Sequence, residues 1–476
     1  MRTRALLPLL RSLLPLVAVL VVAGSGGLSG PSAQPVAPPH QEVLRGIYKE
    51  LVEINTTHSA GDNTRAAEAM AGHLLAAGFP AGDVQVLAPA PRKGNLVARL
   101  RGSGARRPLL LLAHLDVVEA RREDWSVDPF TLLERDGYFY GRGTGDDKAM
   151  AAIFVANLIR YKREGFVPDR DLIVALTADE EGGTHNGVRW LLANHRPLIE
   201  AELALNEGGG GAMKNGAYVS NNIQASEKIV QSFRLEVKNK GGHSSLPVKD
   251  NAIYHLADGL TRLAQADFPV RLDEVNRTFF ERTGGLTGGP LGADMLALAA
   301  GSRDPSVVAR VAAAGPVYNS RMRTTCVATR LEAGHANNAL PQTATAVVNC
   351  RVLPDETRED ARRTLVAILA NDAITVTPIG PFFPSPPSPL TPELMRAVET
   401  VTRELWPGVP VVPVMGTGAT DSKYLRAAGI PAYGTSGIFG DIDDVRAHGR
   451  DERILVRSLY EGQDYLYRLV KRLSSP

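Results

Sequence analysis

The chain alternates between segments whose apolar residues recur at helical spacing and short apolar runs that read as buried strands. Helix-like patterns cover 41–54 and 64–77, ahead of strand-like runs at 95–101 and 109–113. After Asp147, the spacing of Met150, Phe154, Leu158 and Tyr161 predicts another helix, and Leu172 to Ala178 (LIVALTA) another strand. Continuous apolar strands between helices predict an α/β domain whose sheet is buried on both faces. Near 227 the texture changes. IVQSFRLEVKNK alternates apolar and polar residues, as a half-exposed strand does. A helix over 250–265, two further strands, a helix over 358–370 and a strand over 373–377 follow, which predicts an inserted α+β domain. Residues 266–320 are rich in Gly, Ala and Pro with little periodicity, and the pattern predicts no element there. Pro378 to Pro392 holds seven prolines and reads as the return linker. A helix over 391–405, a strand over 409–414 and a helix over 451–472 then resume the first domain.

The expected organisation is therefore a discontinuous catalytic domain at 41–226 and 389–476, interrupted by a lid or dimerisation domain at 227–388. Before it, Arg2, Arg4 and Arg11 flank an apolar stretch from Leu13 to Ala23, and small residues follow. That order is typical of a secretory signal peptide over 1–33. Residues 34–40 read as a short stiff linker. Export to a periplasmic or extracellular location follows, with no stable membrane association after cleavage; an uncleaved anchor is the alternative. The net charge of +2 gives no electrostatic reason to expect a nucleic-acid partner. Cys326 and Cys350 are the only cysteines. They fall opposite each other if their runs form a hairpin centred near Asn338; two separate buried thiols are the alternative.

The chemistry starts with His114 and Asp116, at the end of LLLLAHLDVV. In a strand, residues two apart share a face. That suits an imidazole that ligates metal and a carboxylate that orients it. Four more segments set acidic or imidazole side chains after apolar runs or beside glycines: GRGTGDDKAM, ADEEGG, LNEGGG and RAHGRDERI. Asp147, before its helix, also reads as a partial N-cap. Taken singly, each has a bland reading as a turn, a cap or a structural histidine.

As an ordered set, HLDVV, GRGTGDDK, TADEEGG, NEGG, GGHSSLP, NALP, GATDS and HGRDERI resemble the co-catalytic dizinc peptidases and amidohydrolases, over about 41 to 470. That group includes glutamate carboxypeptidases, aminoacylases, succinyl-diaminopimelate desuccinylases and carboxypeptidase S-like enzymes. The resemblance implies two Zn²⁺ per subunit. Asp146 would bridge them, His114 and Glu207 completing one site and Glu181 and His448 the other. Asp116 would orient His114, and Glu180 would be the general base. His243 would enter the active site of a partner subunit in a homodimer and stabilise the oxyanion. Arg351 and Asn338 would contact the substrate's carboxylate and scissile region.

Three carboxylates against two divalent ions leave net positive charge, which favours deprotonation of bound water near neutral pH. The expected activity is hydrolysis of small peptides next to a C-terminal carboxylate. N-acyl amino acid hydrolysis is the close alternative, and a non-catalytic zinc-dependent binding protein the alternative of another class. The expected inserted domain, about 160 residues, exceeds the compact lid of the smallest relatives, with the excess near 266–320.

Overall fold

The computed structural model describes residues 38–475. The signal segment and most of the linker lie outside them. Pro39 and His40 are not linker: they open the helix Pro39–Glu53.

The expected α/β architecture is present. A ten-stranded sheet draws its strands from residues 84–227 and 411–441. At its centre, Leu109–His114 lies between Leu172–Thr177 and Leu203–Asn206, parallel to both. Successive residues of the central strand feed opposite faces. Leu109, Leu111 and Ala113 pack on one side with the helices Pro39–Glu53, Lys148–Arg163 and Val456–Leu473. Leu110 and Leu112 pack on the other with Val188, Leu191 and Leu425. Burial on both faces explains why these strands read as unbroken apolar runs.

A second sheet of four strands draws all of them from residues 229–379. Its strand order places Thr325–Ala333 and Ile374–Ile379 at the edges. Pro378 sits in the latter, where an edge spares the missing N–H. Cys326 faces Cys350 in register, and the two form a disulfide. The hairpin reading of the two cysteines therefore holds. The helices Ala252–Gln265 and Arg358–Leu369 cover one face of this sheet.

Residues 266–320 correct the sequence reading. They form the helices Glu274–Thr287, Gly289–Ala299 and Pro305–Ala313 and most of a fourth, Pro316–Met322. Their local start signals are Asp273 and Asp304 as side-chain caps, and Pro at the first turn of the last three. Gly289–Ala299 and Pro305–Ala313 are short and rich in Gly or Ala, and Pro316–Met322 is only seven residues, so few apolar positions are there to show a period. Phe279, Phe280, Met295, Leu298, Val311 and Met322 bury themselves against Val412 and Val414 of the Val411–Gly416 strand. The segment thus leans on the large sheet. A second correction concerns the C-terminus. Arg453–Leu455 is extended and pairs with Tyr138–Tyr140, so the last helix starts only at Val456.

Candidate active site

Three adjacent parallel strands end at one edge of the sheet, and each delivers acidic or imidazole groups there. His114 closes its strand; Glu180 and Glu181 follow Leu172–Thr177; Glu207 follows Leu203–Asn206. In open α/β sheets, ligand sites gather at the carboxyl ends of the strands. Asp146 arrives from the glycine-rich turn before Lys148–Arg163, and His448 from the loop before Arg453–Leu455. His448 holds a left-handed φ of 62°. Such backbone is uncommon for a residue with a Cβ and clusters at functional sites.

These side chains form two groups able to hold a metal ion: His114, Asp146 and Glu207; and Asp146, Glu181 and His448. Asp146 belongs to both. Its Oδ1 lies 3.0 Å from His114 Nε2 and its Oδ2 lies 3.0 Å from His448 Nε2. Glu207 Oε1 is 3.9 Å from His114 Nε2, and Glu181 Oε1 is 2.8 Å from His448 Nε2. Ligands about 2 Å from a tetrahedral zinc stand roughly 3.3 Å apart. The observed spacings bracket that value, so the donor sets fit zinc.

The electrostatics agree. Burial pushes the Glu207 carboxyl well above its usual range, and burial plus the neighbouring Asp146 raises Glu181. The hydrogen bond to Asp146 lifts His448 to about 9. Burial opposes a charge on His114, yet its bond to Asp146 and the nearby Glu207 raise it well above the imidazole range. Such a crowd of buried acids and bases holds protons that a cation would displace.

The hold on His114 differs from the sequence reading. Its Nδ1 donates to the main-chain carbonyl of Asp116 at 2.9 Å, while the Asp116 carboxylate stands 3.8 Å away. That carboxylate instead accepts the main-chain N–H groups of Glu180 and Glu181. Asp147 also departs from its reading. It occupies the N-cap position of Lys148–Arg163, but its side chain makes no capping bond. It is buried, and burial followed by Glu207 raises its carboxyl well above the usual range.

His243, Asn338 and Arg351 stand outside this cluster. His243 is exposed on a two-stranded ribbon with Ala339, and its Nδ1 bonds Ser245 Oγ. The Ser244 N–H donates to the Asn338 carbonyl, so His243 and Asn338 are neighbours. Arg351 is half-buried in the four-stranded sheet, opposite Val230 and Thr325. Among the described residues, none of the three has a side-chain hydrogen bond or ion pair to either group.

The match to known proteins decides the family. Residues 110–472 match the model of peptidase family M20/M25/M40. The chain belongs to this family. This M20 protein is 30% identical to N-fatty-acyl-amino acid synthase/hydrolase PM20D1 of Xenopus tropicalis, over 73% of its own length and 69% of the relative's. It is 27% identical to the probable carboxypeptidase S-like 2 of Dictyostelium discoideum, covering 77% and 71%. Its fold is similar to the metallo-carboxypeptidase Sso-CP2 of Sulfolobus solfataricus, with a TM-score of 0.65 and 17% identity over 90% and 98% of the two chains. The M20 protein is thus a hydrolase of the metallopeptidase and amidohydrolase kind, on an α/β fold.

Sequence reading missed four polar residues around this site. Asp421 lies in GATDS, and its carboxyl accepts from Asn186 and Thr177. Burial pushes it to about 6, and burial plus Asp421 pushes Glu180 to about 8. Lys148 is fully buried, donates to the Ile54 carbonyl at 2.7 Å, and is pushed down to about 7 by burial. Arg142 and Glu452 form a buried ion pair of 2.6 Å. All four lie in quoted motifs, so a signal existed, but nothing in the sequence says what they touch.

Proposed function

We propose that the M20 protein is an exported, zinc-dependent hydrolase that cleaves the amide bond of N-acyl amino acids, next to the free carboxylate. The observation that carries the two-metal hydrolase reading is the sharing of Asp146, whose two oxygens each meet a histidine of a different acid-imidazole group. His114 and Glu207 would hold one zinc with Asp146, and Glu181 and His448 the other. When bound, two such ions supply Lewis acidity to the scissile carbonyl and acidify water. Glu180 acts as the general base: burial and the nearby Asp421 raise its carboxyl, and the charge of two bound cations would bring it back down, toward the range suited to proton transfer at neutral pH. It takes the proton from water and passes it to the leaving amine. Asp116 fixes the backbone on which Glu180 and Glu181 stand.

Residues 227–388 form the lid and dimerisation domain in this reading. Arg351 pairs with the substrate carboxylate through its planar guanidinium, and Asn338 meets the scissile region. His243 stabilises negative charge on the substrate oxygen across a homodimer. Its exposed position on the ribbon with Ala339 supports a role beyond its own chain. The disulfide supports export, since such bonds persist in oxidising compartments. Among the described residues, no helix is long and apolar enough to cross a membrane.

Peptide hydrolysis of the carboxypeptidase or dipeptidase kind is the second reading, favoured by the carboxypeptidase S-like relative. Similarity to the PM20D1 relative supports acyl amino acids as the first reading. A panel of N-acyl amino acids and dipeptides, assayed with zinc-loaded protein, separates the two. Faster turnover of dipeptides would reverse the order, and no turnover of either class would defeat the proposal.

A further inference from the structure

Asp146 and His448 approach within 3.0 Å, yet they come from turns some three hundred residues apart in sequence. Something must fix one turn against the other. The buried pair of Arg142 and Glu452 has the contacts to do so. Glu452 Oε1 accepts the main-chain N–H of Gly145 at 2.8 Å and of Asp146 itself at 3.1 Å. Its Oε2 accepts Gly143 N–H at 3.1 Å and Arg142 Nη1 at 2.6 Å. From the other end of the guanidinium, Arg142 Nη2 donates to the Gly449 carbonyl at 2.9 Å, with the His448 carbonyl at 3.5 Å. The cation also lies 5.0 Å from the centre of the Trp125 ring.

Both side chains are almost wholly buried, at 3% and 2% exposure. Burying an ion pair is costly, and an apolar pair of similar size is often as stable or better. What an apolar pair lacks is direction. Here the carboxylate holds the Asp146 turn through three N–H groups, and the fork of Arg142 holds the His448 turn. Neither residue belongs to a candidate metal group.

We infer that Arg142 and Glu452 are positioning residues that set the Asp146 turn against the His448 turn and so govern the metal affinity of the Asp146, Glu181 and His448 site. This rests on the two-metal reading above. The roles divide unequally. Of the two side chains, Arg142 holds the carbonyls of Gly449 and His448, whereas Glu452 holds Asp146, which serves both sites.

The test is zinc titration of the wild type and of Arg142→Lys, starting from the zinc-free proteins, with their melting temperatures recorded. Lysine keeps the charge but cannot serve both Glu452 and Gly449 as a fork does. Expected is a loss of roughly 10–100-fold in affinity for one of two zinc ions, the other unchanged, and a zinc-free melting temperature within a few degrees of wild type. Glu452→Gln should weaken both ions. Unchanged zinc affinity in Arg142→Lys would overturn the inference while leaving two-metal binding intact. A wild type that binds fewer than two zinc ions would overturn both. If Arg142→Lys does not fold, the double variant Arg142→Met with Glu452→Gln, which leaves no buried charge unpaired, takes its place. Weakened zinc binding by the folded double variant supports the inference, and wild-type binding overturns it.

Discussion

The Asp116 carboxylate accepts the main-chain N–H of Glu180 at 3.0 Å, and its other oxygen accepts that of Glu181 at the same distance. One side chain thus fixes the backbone of both the proposed base and a proposed ligand. Asp116→Ala should lower zinc affinity about 10–100-fold, the usual range for losing an outer partner of a ligand. Glu180→Gln should behave differently, keeping its zinc while turnover falls roughly 10²–10⁴-fold. Zinc titration beside steady-state kinetics checks both. Wild-type zinc affinity in Asp116→Ala would show that these two bonds position nothing.

Zinc binding should release protons. Burial raises Glu207 well above its usual range and also raises Glu181, while the Asp146 hydrogen bond lifts His448 to about 9. Each of these groups has a folded-state value above its unfolded one, so each holds protons that the unfolded chain gives up first. Their contribution to stability is therefore greatest at low pH and declines as pH rises through those values. Zinc-free protein should melt at a lower temperature at pH 7 than at pH 5, and saturating zinc should reverse the order. Calorimetric titration in buffers of different ionisation heat should show net proton release near pH 7. Binding without proton release would contradict this account.

The Cys326–Cys350 disulfide joins residues 24 apart in sequence. In the chain-entropy picture, closing such a loop destabilises the unfolded chain by about 3.5 kcal/mol. The double variant Cys326→Ser with Cys350→Ser should unfold at a lower denaturant concentration than the oxidised wild type. Neither cysteine belongs to the metal groups, so zinc affinity should stay unchanged. Equal stability with and without reductant would refute the first part.

In the proposed homodimer, His243 should act in trans. His243→Ala and Glu180→Gln homodimers should each be nearly inactive. Mixed dimers carry one site with an intact base facing an intact His243. Activity recovered on mixing, followed alongside exchange of labelled subunits, supports the arrangement. Exchange without recovery argues against it.

Much of the candidate site was legible because His114, Glu180, Glu181 and Glu207 stand at or just after the ends of strands. An unbroken apolar run such as LLLLAH or LIVALT announces a strand buried on both faces, and polar residues at its end must then lie at a sheet edge. Three such runs happen to be adjacent and parallel, so their ends coincide. The helices within 266–320 were not legible, because their burial depends on Val412 and Val414, far along the chain.

Sequence alone determined the kind of chemistry: which carboxylates and imidazoles exist, in what order, and after which strands. It left the pairing of Cys326 with Cys350 open, because the loop between their runs is too long to fix a register, and the strand pairing of the folded chain closed it. Tertiary structure decided what each polar group touches. It gave the ring of His114 to the Asp116 carbonyl and turned the Asp116 carboxylate toward Glu180 and Glu181. It also brought Arg142 to Glu452 across the whole first and last parts of the chain. The reason is physical. Strand and helix periods depend on neighbours in sequence, whereas a buried hydrogen bond depends on which distant backbone group the packing leaves unpaired nearby.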